Sequence, residues 1–85
     1  MVSVSLHYWA GARAAAGLET ETVSAGSVAE AIRAVVARRQ DARFALVIKA
    51  SSVMIDGLTA HDQDLERPLS ASVQVEILPP FAGGG

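Results

Sequence analysis

The stretch best suited to chemistry is the last seven residues, Pro79-Pro80-Phe81-Ala82-Gly83-Gly84-Gly85. The sequence reads as closing at Gly85 with a free carboxylate, and Ala82 to Gly85 carry a single methyl group between them. A segment that thin can thread a channel barely wider than a bare backbone. From Pro79 it spans roughly 20 Å when extended, at about 3.3 Å per residue, which is enough to enter a partner's active site. The chemistry it offers is activation of its own terminal carboxylate. Pro79 and Pro80 form a stiff spacer that sets the direction of the tail. Phe81 is the one large apolar side chain beyond them.

Other chemistries find little support. The chain has no cysteine, which excludes disulfides, thiolate metal sites and cysteine nucleophiles. His61, Asp62, Asp64 and Glu66 sit close together, but their spacing matches no metal-binding loop, so they read as a solvated loop and no metal is expected. His7 and Trp9 read as surface residues. A formal charge of −2, a pI near 5.5 and the absence of a basic cluster among aromatics argue against nucleic acid as a partner. The N-terminus shows no basic-then-apolar leader and no stretch reaches membrane-spanning length, so the cytoplasm is the expected compartment and no membrane partner is expected.

Positioning such a tail requires a small, rigid body, and 85 residues that are 51% hydrophobic suffice for one core. Val2 to Trp9 alternates, with Val2, Val4, Leu6 and Tyr8 on one face, and predicts a strand. Ala10 to Gly17 predicts one or two helical turns closed by a glycine. Leu18 to Val23 reads as a second strand, antiparallel to the first. Ser27-Val28-Ala29-Glu30 fits a capping box, and Val28, Ala31, Ile32, Val35 and Val36 follow at helical spacing, predicting an amphipathic helix to about Arg39. Arg38 and Arg39 fall at its negative end. Residues 41–50 fit either a short helix or a buried strand. Val53-Met54-Ile55 is a short strand, Asp56-Gly57 a turn before Leu58-Thr59, residues 60–66 a polar loop, and Val73 to Leu78 the last strand. The whole is α+β, a mixed sheet of about five strands covered by one main helix, with residues 1–78 as the domain and 79–85 as a flexible, extended tail.

This order, combined with the ending, resembles the MoaD/ThiS sulfur carriers, small β-grasp proteins of ubiquitin-like fold. The resemblance rests on Tyr8, Trp9, Ala10, Arg13 and Gly17 after the first strand, the Ser27 to Arg39 helix, Val53 to Gly57, Pro68-Leu69, and above all the strand that runs into PPFAGG. That ending is closest to the MoaD-like small subunit of molybdopterin synthase.

The resemblance implies a specific chemistry. An E1-like adenylating enzyme of the MoeB/ThiF kind would use ATP and Mg²⁺ to convert the terminal glycine to an acyl-adenylate. A persulfide donor would then replace AMP and leave a thiocarboxylate. A MoaE-like large subunit would accept the tail and the sulfur. The carrier itself would bind no cofactor and would have no independent active site. The resemblance implies that Phe81 anchors the tail at the partner's entrance, unless it folds back on its own sheet, and that Arg13 faces the partner, unless it is an ordinary surface residue. The family commonly ends in two glycines where this chain has three, so the reactive carbon belongs to Gly85 or, after trimming, to Gly84. Ser70-Ala71-Ser72 stands where the family often has Asp-Gly-Asp. Two alternatives stay open: a sulfur carrier for cysteine, thiamine or siderophore synthesis, and a β-grasp protein modifier or binding module.

Overall fold

Two parallel strands form the centre of the sheet in the computed structural model, which describes residues 1–80. The expectations for Phe81, Ala82, Gly83, Gly84 and Gly85 lie outside the described residues. β1 (Val2–Tyr8) and β5 (Val73–Leu78) run side by side, with Val4 opposite Val73 and Tyr8 opposite Ile77. β2 (Thr20–Ala25) pairs antiparallel with β1, β3 (Ser52–Ile55) antiparallel with β5, and β4 (Leu58–Thr59) closes the far edge. The order across the sheet is β2-β1-β5-β3-β4. Val4, Leu6, Tyr8, Val75 and Ile77 are fully buried, as their alternation demands, because period two puts them all on the face that the helices cover.

The covering layer is richer than one helix. α1 (Ala10–Ala16) follows β1 directly and ends at Gly17, whose φ of 81° is a left-handed cap that a residue with a Cβ adopts only with strain. α2 (Val28–Arg39) buries Val28, Ala31 and Val35 against the sheet. The Ser27 hydroxyl accepts from the Glu30 N–H at 3.1 Å, and the Glu30 half of the expected capping box is not formed. Residues 41–50 are a helix, α3 (Ala42–Ala50), because the Asp41 carboxylate accepts from the Arg43 and Phe44 N–H groups at 2.9 and 3.2 Å, and Phe44 and Ile48 then face the core one turn apart.

Three further expectations are corrected. Residues 60–66 are not all loop: α4 (Asp62–Glu66) is a short helix whose start is fixed by Asp64 accepting from the His61 N–H at 2.9 Å. The second strand lies two residues later than expected, because Val23 and Ala25, rather than Leu18, supply its buried face. The first strand stops at Tyr8, and Trp9 caps α1. The Asp56-Gly57 turn forms as expected, with φ of 48° and 83°, the paired positive values that favour Asp-Gly in a two-residue hairpin. It is tied to β5 by the Asp56 N–H donating to the Gln74 carbonyl and the Gln74 N–H donating to the Asp56 side chain, both at 2.8 Å.

Candidate functional site: the root of the tail

The tail leaves from the middle of the sheet. β5 has β1 on one side and β3 on the other, so its backbone is bonded along both edges up to Leu78, which pairs with Ser52. The Trp9 N–H adds a bond to the Ile77 carbonyl at 3.2 Å, where the first strand gives way to α1. A central strand cannot slip without breaking both ladders, so the exit direction is set by the most constrained part of the fold. Pro79 is half-buried and Pro80 exposed. Both expected spacer residues therefore sit at the surface directly beyond the sheet.

On the helix side, Pro79 and Pro80 border a shallow apolar groove of about 290 Å³ with Gly11 of α1 and Leu46, Val47 and Ala50 of α3. Leu46 is 68% exposed. A sequence signal for this surface exists in the apolar run from Phe44 to Ile48: one helix stripe cannot bury five consecutive residues, so at least one must point away.

On the open face of the sheet, the His7 and Trp9 rings stack with centroids 4.4 Å apart and planes 5° from parallel. The Trp9 indole N–H donates to Glu76 at 3.2 Å. Arg13 lies 3.6 Å from Glu19, which is also 3.9 Å from His7. These side chains gather at the end of β1 that adjoins the tail root, but they form exposed pairs of the kind worth little stability. His61, Asp62, Asp64 and Glu66 are not drawn together, and no group of three or more metal-ligating side chains occurs among the described residues.

Behind the root lies a charged network that composition alone did not announce. The Tyr8 hydroxyl donates to Glu21 at 2.7 Å, Arg39 reaches the same carboxylate oxygen at 2.9 Å, and Arg38 reaches the other at 3.2 Å. The Arg39 guanidinium also lies 4.5 Å from the Phe44 ring centroid and 5.7 Å from that of Tyr8. Arg38 and Arg39 are therefore more than a favourable helix end: they tie α2 to β2, and Arg39 fills the space between β1 and α3.

Burial, then the hydrogen bond to Glu21 and the charge of Glu21, push the Tyr8 phenol far above its ordinary range. The folded state therefore keeps this proton at pH values where the unfolded chain, with a phenol near about 10, has lost it. Stability from this group is complete below that pH and falls as pH rises through it, with a limiting slope of about 1.4 kcal/mol per pH unit. Urea unfolding across the alkaline range is expected to show this decline, and Tyr8→Phe is expected to remove that part of it. Tyr8 is the only tyrosine, so tyrosinate absorbance reports it alone.

Comparison with known proteins adds to this geometry. A family model described as the ThiS family matches residues 6–84. No curated protein sequence matches. Among solved structures, small archaeal modifier protein 1 from Methanosarcina acetivorans is 24% identical, with 99% of this chain and 98% of that one covered and a TM-score of 0.78. Small archaeal modifier protein 1 from Haloferax volcanii is 23% identical, with 96% and 99% covered and a TM-score of 0.72. The complex of subunits 1 and 2 of the molybdopterin-converting factor from Helicobacter pylori contains a chain 17% identical, with 96% and 99% covered and a TM-score of 0.67. These likenesses show the fold, a ubiquitin-like β-grasp with a mixed sheet of five strands.

Proposed function

The chain belongs to the ThiS family, and from that premise we propose that it is a sulfur carrier whose C-terminal glycine accepts and delivers sulfur as a thiocarboxylate. The observation that carries this reading is the sheet's central strand β5 running into Pro79-Pro80, with a sequence beyond it that dwindles to Gly83-Gly84-Gly85. A rigid body with a thin, obstruction-free end suits delivery of a carboxylate into another protein's active site.

A carboxylate is a poor electrophile, so activation must come first. An E1-like adenylating enzyme would join the Gly85 carboxylate to AMP from Mg²⁺-bound ATP and release pyrophosphate. A persulfide sulfur would attack the acyl carbon and expel AMP. Cleavage of the resulting sulfur–sulfur bond by a second thiol would leave the thiocarboxylate. This chain's own residues take no proton and hold no metal in those steps; Gly83, Gly84 and Ala82 pass through the partner's channel, Phe81 anchors its mouth, and Pro79 and Pro80 aim it. In the finer reading, the acceptor is a MoaE-like large subunit and the product serves molybdenum cofactor synthesis. The subunit 1 and subunit 2 complex from H. pylori supports an enzyme subunit as partner.

A second reading has its own support in the likeness to two archaeal modifier proteins. A modifier would use the same activated glycine and pass the acyl group to an amine instead of exchanging oxygen for sulfur.

Intact mass after incubation with an adenylating enzyme, ATP, Mg²⁺ and a persulfide source tests the proposal. Exchange of one oxygen for sulfur adds about 16 Da, and the product is alkylated as a thiolate is. A shift on the full-length chain assigns the chemistry to Gly85; a shift only after loss of one glycine assigns it to Gly84. Adducts to lysines without that shift favour the modifier reading, and no change with several adenylating enzymes rejects both.

A further inference from the structure

The outer side of β2 is the longest open edge of the sheet. β1 and β2 pair with Val4 opposite Val23 and Leu6 opposite Glu21, and the Tyr8 N–H donates to the Glu19 carbonyl at 2.9 Å. Bonded and non-bonded pairs alternate along an antiparallel ladder, so Glu19, Glu21, Val23 and Ala25 turn their backbone groups toward β1. Thr20, Thr22 and Ser24 turn theirs outward, and no backbone partner meets them among the described residues. The run ends at Gly26, whose carbonyl accepts from the Leu69 N–H at 2.8 Å. The opposite edge, β4, is only two residues long.

Sheet proteins usually blunt such an edge with proline, lysine, a bulge or an inward charge. Thr20-Glu21-Thr22-Val23-Ser24-Ala25 has none of the first two, and its one charge is already paired with Arg38 and Arg39. Three of its residues are β-branched and favour the extended form.

We propose that β2 docks a second copy of this chain, antiparallel about Thr22, so that two five-stranded sheets become one. In this register Thr22 faces Thr22 of the second copy and Thr20 faces Ser24. Those are the residues with outward backbone groups, and each of the three pairs exchanges two N–H···O bonds. Between them Glu21 falls opposite Val23, so no like charges stand directly opposite one another, and the two Glu21 carboxylates that lie diagonally across the axis are each already paired with Arg38 and Arg39. The exposed Leu18 falls opposite Gly26 of the second copy, beside the Leu69 that covers that end. The strand is thus complementary to itself in hydrogen bonding, which a two-fold interface requires, and its one charge is neutralised within each copy. β1 stands between β2 and β5, so the seam is separated from the strand that leads to Pro79 and Pro80 in each copy.

A seam of backbone bonds with little apolar area gives a weak dimer, in the micromolar to millimolar range. Sedimentation equilibrium over that range is expected to show the mass rising from 8.8 kDa toward twice that value. Amide exchange at Thr20, Thr22 and Ser24 is expected to slow by about tenfold or more as the chain dimerises. Thr22→Pro removes an outward N–H that bonds nothing in the monomer and is expected to hold the mass at 8.8 kDa with an unchanged circular dichroism spectrum. Thr22→Lys sets one ammonium across from its symmetry copy and is expected to weaken the dimer by about tenfold, whether or not the proline variant folds. A chain that stays monomeric at millimolar concentration with fast exchange at those three amides overturns the proposal, as does a dimer indifferent to Thr22→Lys.

Discussion

Removal of Gly83, Gly84 and Gly85 is expected to abolish the gain of sulfur while leaving the unfolding free energy within about 0.5 kcal/mol of the full-length value. The two halves of this expectation come from different parts of the molecule. Among the described residues the last strand pairing is Leu78 with Ser52 and the last fully buried side chain is Ile77, and the truncated residues come later in the sequence than both. The new carboxylate, on Ala82, would still be chemically competent. It would end about 10 Å short, at about 3.3 Å per residue, and so would not reach a nucleotide at the end of a channel matched to the longer tail. Intact mass after the adenylation reaction reads the first half, and thermal or urea unfolding reads the second. Removing Gly85 alone separates the two termini: full activity assigns the chemistry to Gly84, and loss assigns it to Gly85. A truncated chain that still gains sulfur would remove the tail from the mechanism, and one that keeps both partner affinity and biological effect would make this a binding module.

The parts of the fold legible in the sequence were those where one local signal sufficed. Alternation in Val4, Leu6 and Tyr8 and in Val75 and Ile77 fixed the two central strands, because only one face of each is covered. Ser27 marked the start of α2, and Asp56-Gly57 marked the hairpin. The ambiguity at residues 41–50 had a tertiary cause. A run of five apolar residues suits a buried strand or a helix equally, and the deciding feature was the lone Asp41 cap with Phe44 three residues on, a weaker signal than a full capping box. Glu21 was illegible in another way. Alternation places it on the same strand face as Val23, but the two arginines and the phenol that surround it there come from other elements. No spacing rule links Tyr8, Glu21 and Arg39, since chain crossings unite them. The role proposed for the tail rests on the sequence alone, on the side chains that Ala82 to Gly85 lack, and the groove beside its root was not legible, because α3 had first to be recognised as a helix.

Phe44→Ala is the substitution expected to cost the fold most, about 3–5 kcal/mol, because it empties a fully buried ring site. Phe44 meets the Tyr8 ring edge-on with centroids 5.8 Å apart and carries the Arg39 guanidinium over its face. Both contacts add to burial, and each is worth on the order of 1 kcal/mol in a desolvated setting. Truncation would leave a cavity bordered by a charged group, which admits water more readily than an apolar void. Since a domain of this size loses about 4–8 °C of Tm per kcal/mol, the midpoint should fall by more than about 12 °C. Phe44→Leu keeps much of the volume but not the aromatic faces, so the gap between the two variants separates burial from ring contacts. Loss of stability is expected to loosen α3 first, and with it Leu46, Val47 and Ala50, which border the same groove as Pro79 and Pro80. Amide exchange in α3 should therefore rise more than exchange in β1 or β5, whose ladders are bonded on both sides. A cost below about 1 kcal/mol would mean that the core collapses onto the missing ring and that α3 is held chiefly by Ile48 and its Asp41 cap.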